Sequence, residues 1–241
     1  MKLGSPITVA PNIFQIRALG ARVTVIVSEG GFLLIDAGSR RSLPFIKGGL
    51  EALGLSLDDL AMIVVTHHHP DHAGGLAELV ESKPVPVAAH HLDARIISGV
   101  EPKPDPHRNR LMAAVVAPVV KTLEGDIVPV NIELEDGDVI PFDVEAKVIH
   151  VPGHTPGSIC LFLPDHKTIV VGDAMQYKFG RKLSPPARSV TQDPEMALRS
   201  LQRLLDLDFQ TICFGHFPPI LTGGRDAVVR LLRDEESALD S

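Results

Sequence analysis

The chain contains no tryptophan, one tyrosine and two cysteines in 241 residues, and aromatic side chains make up only 4% of it. Its interior must therefore be filled mainly by Val, Ile, Leu and Ala. Two thiols, Cys160 and Cys213, each inside an apolar run, supply no disulfide framework. They read as small core residues and fit a reducing compartment. Long hydrophobic runs are missing as well. The longest, Leu111 to Val120, is about half of what a membrane span needs. Met1-Lys2-Leu3-Gly4-Ser5-Pro6 opens no apolar signal segment. The expectation is a soluble, cytoplasmic protein that does not enter a membrane. Basic clusters are scarce too. None exceeds Arg40-Arg41, the formal net charge is −7 and the pI is near 5.8, which argues against a dedicated nucleic-acid surface.

What is present is a globular composition, 44% hydrophobic and 22% charged, long enough for one large α/β domain or two fused halves. Strands are expected at Ile7–Ala10 and Ile13–Ile16 around Pro11-Asn12, and at Val23–Val27 and Phe32–Ile35 around Glu29-Gly30-Gly31. A helix over Leu43–Leu53 ends at Gly54. Leu60–Val65 reads as a buried strand, residues 73–80 as a helix, Val85–Ala89 as a strand and 90–97 as a short helix. A further helix over Arg108–Lys121 is apolar on every face at 111–120. That segment has three readings: packing beneath an insert, a homodimer contact, or the lining of an acyl-chain cleft. Asn131–Leu134 and Val144–Val151 are expected as strands, Ser158–Leu163 and Thr168–Val171 as a hairpin, and 176–192 as a loop. Asp193 caps a helix running to Leu205, Thr211–Phe214 is a strand, and Asp226–Leu239 closes the chain as a helix. Both halves place antiparallel strands first and strand–helix units later. This implies two mixed sheets with outer helices in one domain over 1–241, with a soft boundary near 125 and a helical insert at about 90–125.

The chemistry concentrates in Thr66-His67-His68-His69-Pro70-Asp71-His72, where the strand Leu60–Val65 gives way to a loop. Four histidines and an aspartate in six residues exceed what a turn requires. Imidazole and carboxylate suit zinc or another first-row metal. Three further residues share this placement: His154, Asp173 and His216 each follow an apolar strand, with glycine alongside. With His67, His69, Asp71 and His72 they make seven candidate ligands. Seven are too many for one tetrahedral ion and suit two ions with one bridging carboxylate. His68 is expected to point away from its neighbours and is left out. Asp36 is read as either a hydrogen-bonding support for the histidine loop or a helix cap. His90, His91, His107, His150 and His166 are read as surface or loop histidines.

The order His67-x-His69-x-Asp71-His72, then His154, Asp173 and His216, resembles the metallo-β-lactamase superfamily. So do Ile35-Asp36-Ala37-Gly38 and Pro152-Gly153-His154-Thr155-Pro156-Gly157-Ser158. The resemblance spans about residues 10 to 220. It implies an αββα sandwich, with one ion on His67, His69 and His154, a second on Asp71, His72 and His216, and Asp173 between them. The ions are expected to be zinc, with iron or manganese as alternatives. They would sit about 3.5–4 Å apart and share the hydroxide that attacks a carbonyl. Asp71 is also a candidate proton shuttle. Tyr177, four residues past Asp173, resembles a tyrosine that helps hold the substrate carbonyl in lactonase-like members.

For the substrate, the resemblance points to the glyoxalase II and lactonase branch, and the expectation is hydrolysis of a small ester, lactone or thioester. Only 25 residues follow His216, fewer than the helical region that helps glyoxalase II bind its glutathione thioester. The alternatives are a mononuclear-iron persulfide dioxygenase, an RNA-processing nuclease, which the acidic balance opposes, and a non-catalytic metal-binding module, which the full ligand set opposes.

Overall fold

The central strands of both sheets are apolar on both faces, and that pattern sets the layers. The computed structural model describes residues 2–104, 118, 121–178 and 182–239. The larger sheet has seven strands in chain order: β1 (Pro6–Ala10), β2 (Ile13–Arg17), β3 (Arg22–Ser28), β4 (Gly31–Ile35), β5 (Leu60–Val65), β6 (Val87–His90) and β7 (Ile132–Leu134). The first four are antiparallel neighbours, whereas β4 to β7 run parallel. The second sheet uses β8 (Lys147–His150), β9 (Ile159–Leu163) and β10 (Thr168–Gly172). A separate hairpin of β11 (Gln176–Lys178) and β12 (Lys182–Ser184) then intervenes, and β13 (Thr211–Phe214) completes the sheet in the order β13-β10-β9-β8. Here β8, β9 and β10 are antiparallel, and β13 lies parallel to β10.

Period-2 alternation sends successive side chains into different layers. On the larger sheet Phe32 and Leu34 face outward, toward Ile46 and Leu50 of α1 (Leu43–Ala52), Leu76 and Leu79 of α3 (Leu76–Ser82), and Ala94 and Ile97 of α4 (His91–Ile97). Leu33 and Ile35 face inward, where they join Val148, Leu161, Val170 and Cys213 of the second sheet. That sheet's other face, with Cys160, Phe162, Ile169 and Phe214, packs on Leu201 and Leu204 and on Val228 and Leu231 of α6 (Gly224–Leu239). The result is the expected αββα sandwich. α3 and α4 have seven residues each, too short to persist in water. Burial holds them, at roughly 1.5–3 kcal/mol for each large apolar side chain.

Four expected elements differ. Residues 73–80 are not one helix: α2 (Pro70–Ala73) ends at Gly74-Gly75 and α3 starts afresh. A Cβ on Gly75 would come within 2.2 Å of the Ala37 carbonyl, so the chain passes too close to the end of β4 for a side chain. Val144–Val151 forms strand only at Lys147–His150, because the chain folds back around Pro141: Ile140 N donates to Ala146 O at 2.9 Å and Val139 bridges Lys147. The expected loop 176–192 contains the β11–β12 hairpin, paired Tyr177 to Leu183. The helix expected to reach Leu205 is α5 (Pro194–Ser200), followed by a 3-10 turn at Leu201–Asp206. The apolar segment 111–120, apart from Pro118, and His107 lie outside the described residues. No helix among the described residues is long and apolar enough to cross a membrane. Both cysteines are buried and free, on opposite faces of the second sheet.

Replacing Leu161, fully buried between the sheets, by alanine is expected to cost about 2–5 kcal/mol. Leu221→Ala, at a side chain half exposed, should change stability by less than about 0.5 kcal/mol. Urea titrations of both variants, with the midpoint read at constant m, check the contrast.

Candidate metal centre

The seven candidate ligands all follow the C-terminal ends of strands at one edge of the sandwich. β5 delivers Thr66 to His69, and Pro70 then starts α2, whose first turn carries Asp71 and His72. His154 lies in the loop after β8, Asp173 directly follows β10, and His216 lies two residues past β13. Bonds between the sheets close this edge: Ile159 N donates to Thr66 O at 3.0 Å, and Arg22 N donates to Gly215 O at 2.5 Å.

The ligand atoms converge in three overlapping groups, each within 4.8 Å: His67, His69 and His154; His67, His72 and Asp173; and Asp71, His72 and His216. Asp173 touches donors of both outer groups. Its Oδ1 is 3.4 Å from His72 Nε2, and its Oδ2 is 3.0 Å from His216 Nε2 and 3.7 Å from His154 Nε2. His216 Nε2 also lies 3.3 Å from Asp71 Oδ2. The Nε2 atoms of His67, His69, His72 and His154 are buried and have no hydrogen-bond partner among the described residues. Such atoms are costly in an interior unless something binds them. Five imidazoles and two carboxylates suit a divalent first-row ion, so the residues present fit a metal centre.

The charges divide the site. Burial, then the neighbouring imidazoles, push His67 and His69 well below the usual histidine range; burial takes His154 down to about 4. These three rings are neutral and offer lone pairs. For His72 the cost of burial is outweighed by Asp36 and Asp173, and its pKa rises well above the usual value. His216 is likewise carried to about 10, against burial, by Asp173 and Asp71. Burial would raise both carboxylates. His72 and His216 nevertheless hold Asp173 well below the carboxylate range, and His216 holds Asp71 at about 2. Without metal, the second group is a cluster of mutually compensating ions.

Asp36 supports the histidine loop. Its Oδ1 accepts from Thr66 N at 2.8 Å, and its Oδ2 accepts from Thr66 Oγ1 at 2.9 Å and from His72 Nδ1 at 2.7 Å. The residue has φ +65°, a conformation aspartate tolerates better than most side chains. Gly215 is required by contact: a Cβ there would sit 2.5 Å from His72 Cε1 and 2.6 Å from Asp173 Oδ1.

Sequence reasoning missed Asp93. Fully buried at the start of α4, it accepts from His68 N, Thr155 Oγ1 and Gly157 N, each at 2.8 Å, and lies 2.9 Å from His68 Nδ1. One carboxylate therefore joins the 67–69 loop to the loop that carries His154. Burial opposes its charge, but these donors keep its pKa below the usual value. His68 does turn to a different partner from its neighbours, as expected. His90, read as a surface or loop residue, is in fact buried at 1% exposure and stacks on His150. Tyr177 packs its ring against Phe214 at 5.0 Å and Phe217 at 5.5 Å, the residues flanking Gly215-His216.

Residues 16–216 match the family model described as the metallo-beta-lactamase superfamily. The chain is 33% identical to a probable metallo-hydrolase, YflN, of Bacillus subtilis, covering 78% of this chain and 76% of that one. It is 31% identical to a hydroxyacylglutathione hydrolase of Cereibacter sphaeroides over 77% of this chain, and it spans 61% of that enzyme's length. Among solved structures, a metallo-beta-lactamase family protein of Thermus thermophilus superposes with a TM-score of 0.68 at 26% identity, covering 91% and 76% of the two chains. A metallo-beta-lactamase of Cronobacter sakazakii superposes with a TM-score of 0.73 over 98% and 95%; at 23% identity it shows the fold alone.

Asp93→Ala leaves several buried donors without an acceptor and is expected to destabilise the fold by about 3 kcal/mol or more. Thr155→Val, which removes one of those donors, should cost about 1 kcal/mol. Chemical denaturation of the two variants beside the wild type measures both losses.

Proposed function

The chain belongs to the metallo-beta-lactamase superfamily as a metal-dependent hydrolase, and we propose that it cleaves small acyl substrates (esters, lactones or thioesters) with two divalent ions, zinc foremost. The observation that carries this is the position of Asp173, whose two oxygens face His72 on one side and His154 and His216 on the other. In this reading His67, His69 and His154 would hold the first ion, Asp71, His72 and His216 would hold the second, and Asp173 would be available to both. When bound, such a pair lowers the pKa of water into the neutral range and polarises a carbonyl.

The chain's own groups do the remainder. Asp36 and Asp93 keep the histidine loop and the His154 loop in place, so the donors need not reorganise as charge develops. Asp71 turns Oδ2 toward His216. Its Oδ1 is the atom we assign to take the proton released by the attacking water and pass it to the leaving alkoxide or thiolate. Tyr177, held by Phe214 and Phe217 beside the His216 turn, is proposed to meet the substrate's carbonyl oxygen with its hydroxyl. The relative named hydroxyacylglutathione hydrolase favours an acyl substrate. Cys160 and Cys213, buried and free, suit the reducing cytoplasm, where we place the protein.

Zinc-loaded protein should hold two ions at this seven-residue centre and turn over at least one member of a panel of acyl-lactones, acyl-thioesters and aryl esters. Dialysis against a chelator should abolish the activity, and added zinc should restore it. A fully loaded protein inert toward the whole panel would overturn the assignment. One iron per chain with oxygen uptake on a persulfide would select the oxidoreductase instead.

Tyr177→Phe keeps the ring and removes one neutral hydrogen bond, so kcat/KM should fall up to about ten-fold with metal content unchanged. Steady-state kinetics alongside metal analysis test this, and an unaltered kcat/KM would remove Tyr177 from the mechanism.

A further inference from the structure

We propose that His90, His91 and Glu135 form a second, separate binding site for a divalent transition-metal ion, distinct in its residues from the centre described above. The topology brings them together. β6 and β7 are parallel neighbours with His90 paired to Leu134, so the residues leaving the two strands, His91 and Glu135, emerge side by side. One ligand atom from each of the three lies within 4.8 Å of the others. Glu135 Oε1 is 2.7 Å from His91 Nδ1, and Oε2 is 3.9 Å from His90 Nε2.

Three features make this more than a surface ion pair. The His90 ring is fixed: it is buried and lies flat on His150 at 3.9 Å and 15°. His150 is itself held by a 2.8 Å bond from Nε2 to Pro156 O. His91 Nδ1 is buried and, beyond its 2.7 Å contact with Glu135 Oε1, has no hydrogen-bond partner among the described residues. An exposed ion pair contributes about 0–1 kcal/mol and gives no reason to hold His90 rigidly beside it. The third feature is access. The Glu135 side chain is 63% exposed and that of His91 35%, so an ion can arrive from solvent and keep water at its remaining position.

Two imidazoles and a carboxylate select zinc, nickel or copper over calcium and magnesium, which prefer all-oxygen sites. Coordination through His90 Nε2 requires the ring proton on Nδ1. That gives up the bond Nδ1 now accepts from Leu92 N, which at 3.4 Å is long and weak. His91 is the first residue of α4, and Asp93 lies two residues on. An ion here would pin the start of the helix whose carboxylate joins the two metal-bearing loops.

The test is zinc binding by the whole protein, His91→Gln and Glu135→Gln, followed by competition with a chromophoric chelator and by elemental analysis. Both substitutions lie at partly exposed positions and should leave the circular dichroism unchanged. The expected result is one fewer zinc per chain in each variant than in the wild type. In addition, histidine nitrogen spectra of the wild type should show His90 moving to the Nδ1–H tautomer as zinc is added. Equal zinc counts in all three proteins, with the His90 tautomer unmoved, would overturn the proposal. The difference is counted against the wild type, so failure of the seven-ligand centre to load would be seen separately, as a low total in every sample.

Discussion

Each imidazole whose Nδ1 partner is visible is steered from behind. His67 Nδ1 meets Thr66 Oγ1, His72 Nδ1 meets Asp36 Oδ2, His154 Nδ1 meets Thr191 Oγ1 and His216 Nδ1 meets the Gly20 carbonyl, all between 2.7 and 3.1 Å. A ring with one nitrogen committed to a fixed oxygen has its tautomer and plane set, and its other nitrogen can point only one way. The two threonines are themselves oriented, because Thr66 Oγ1 donates to Asp36 and Thr191 Oγ1 donates to Ala187 O. Four segments far apart in the chain must therefore bring one oxygen each to a common edge. The sandwich does this by ending its strands there.

The two groups of donors so formed differ in character. His67, His69 and His154 are buried, neutral and uncompensated, which suits tight capture of an ion. Asp71, His72 and His216 are ion-paired among themselves and with Asp173, and the side chains of Asp71 and His216 are about a third exposed. An ion entering there displaces protons and breaks existing pairs. If two ions bind, as proposed, their affinities would differ because of these surroundings rather than because of the count of ligands.

Much of this was legible in the amino-acid order, for a physical reason. Candidate ligands placed just past short apolar strands are marked by the abrupt change from Val-Ile runs to His and Asp, and the strands of both sheets show through the same runs. Asp93 carried no such mark. It sits in the first turn of a helix, where an acidic residue is ordinary, and its donors come from positions 68, 155 and 157, which only the folded chain brings near. His90 ends a four-residue strand and gives no local sign of burial, because the ring it stacks on, His150, lies 60 positions away. The β11–β12 hairpin has no clean alternation to read. The break after α2 depends on how close the backbone of Ala37 lies, a distance that no local pattern encodes.

The seam between the sheets has one more consequence. The first group of donors combines two residues before position 125 with one after it, and so does the second, while Asp173 comes from the later half. An ion held in either place would cross-link the two layers. Occupancy at a thousand times the dissociation constant would add about 4 kcal/mol to folding stability. The protein's resistance to unfolding would then track the free metal around it, and starvation for metal would loosen the sandwich along the edge where these donors meet.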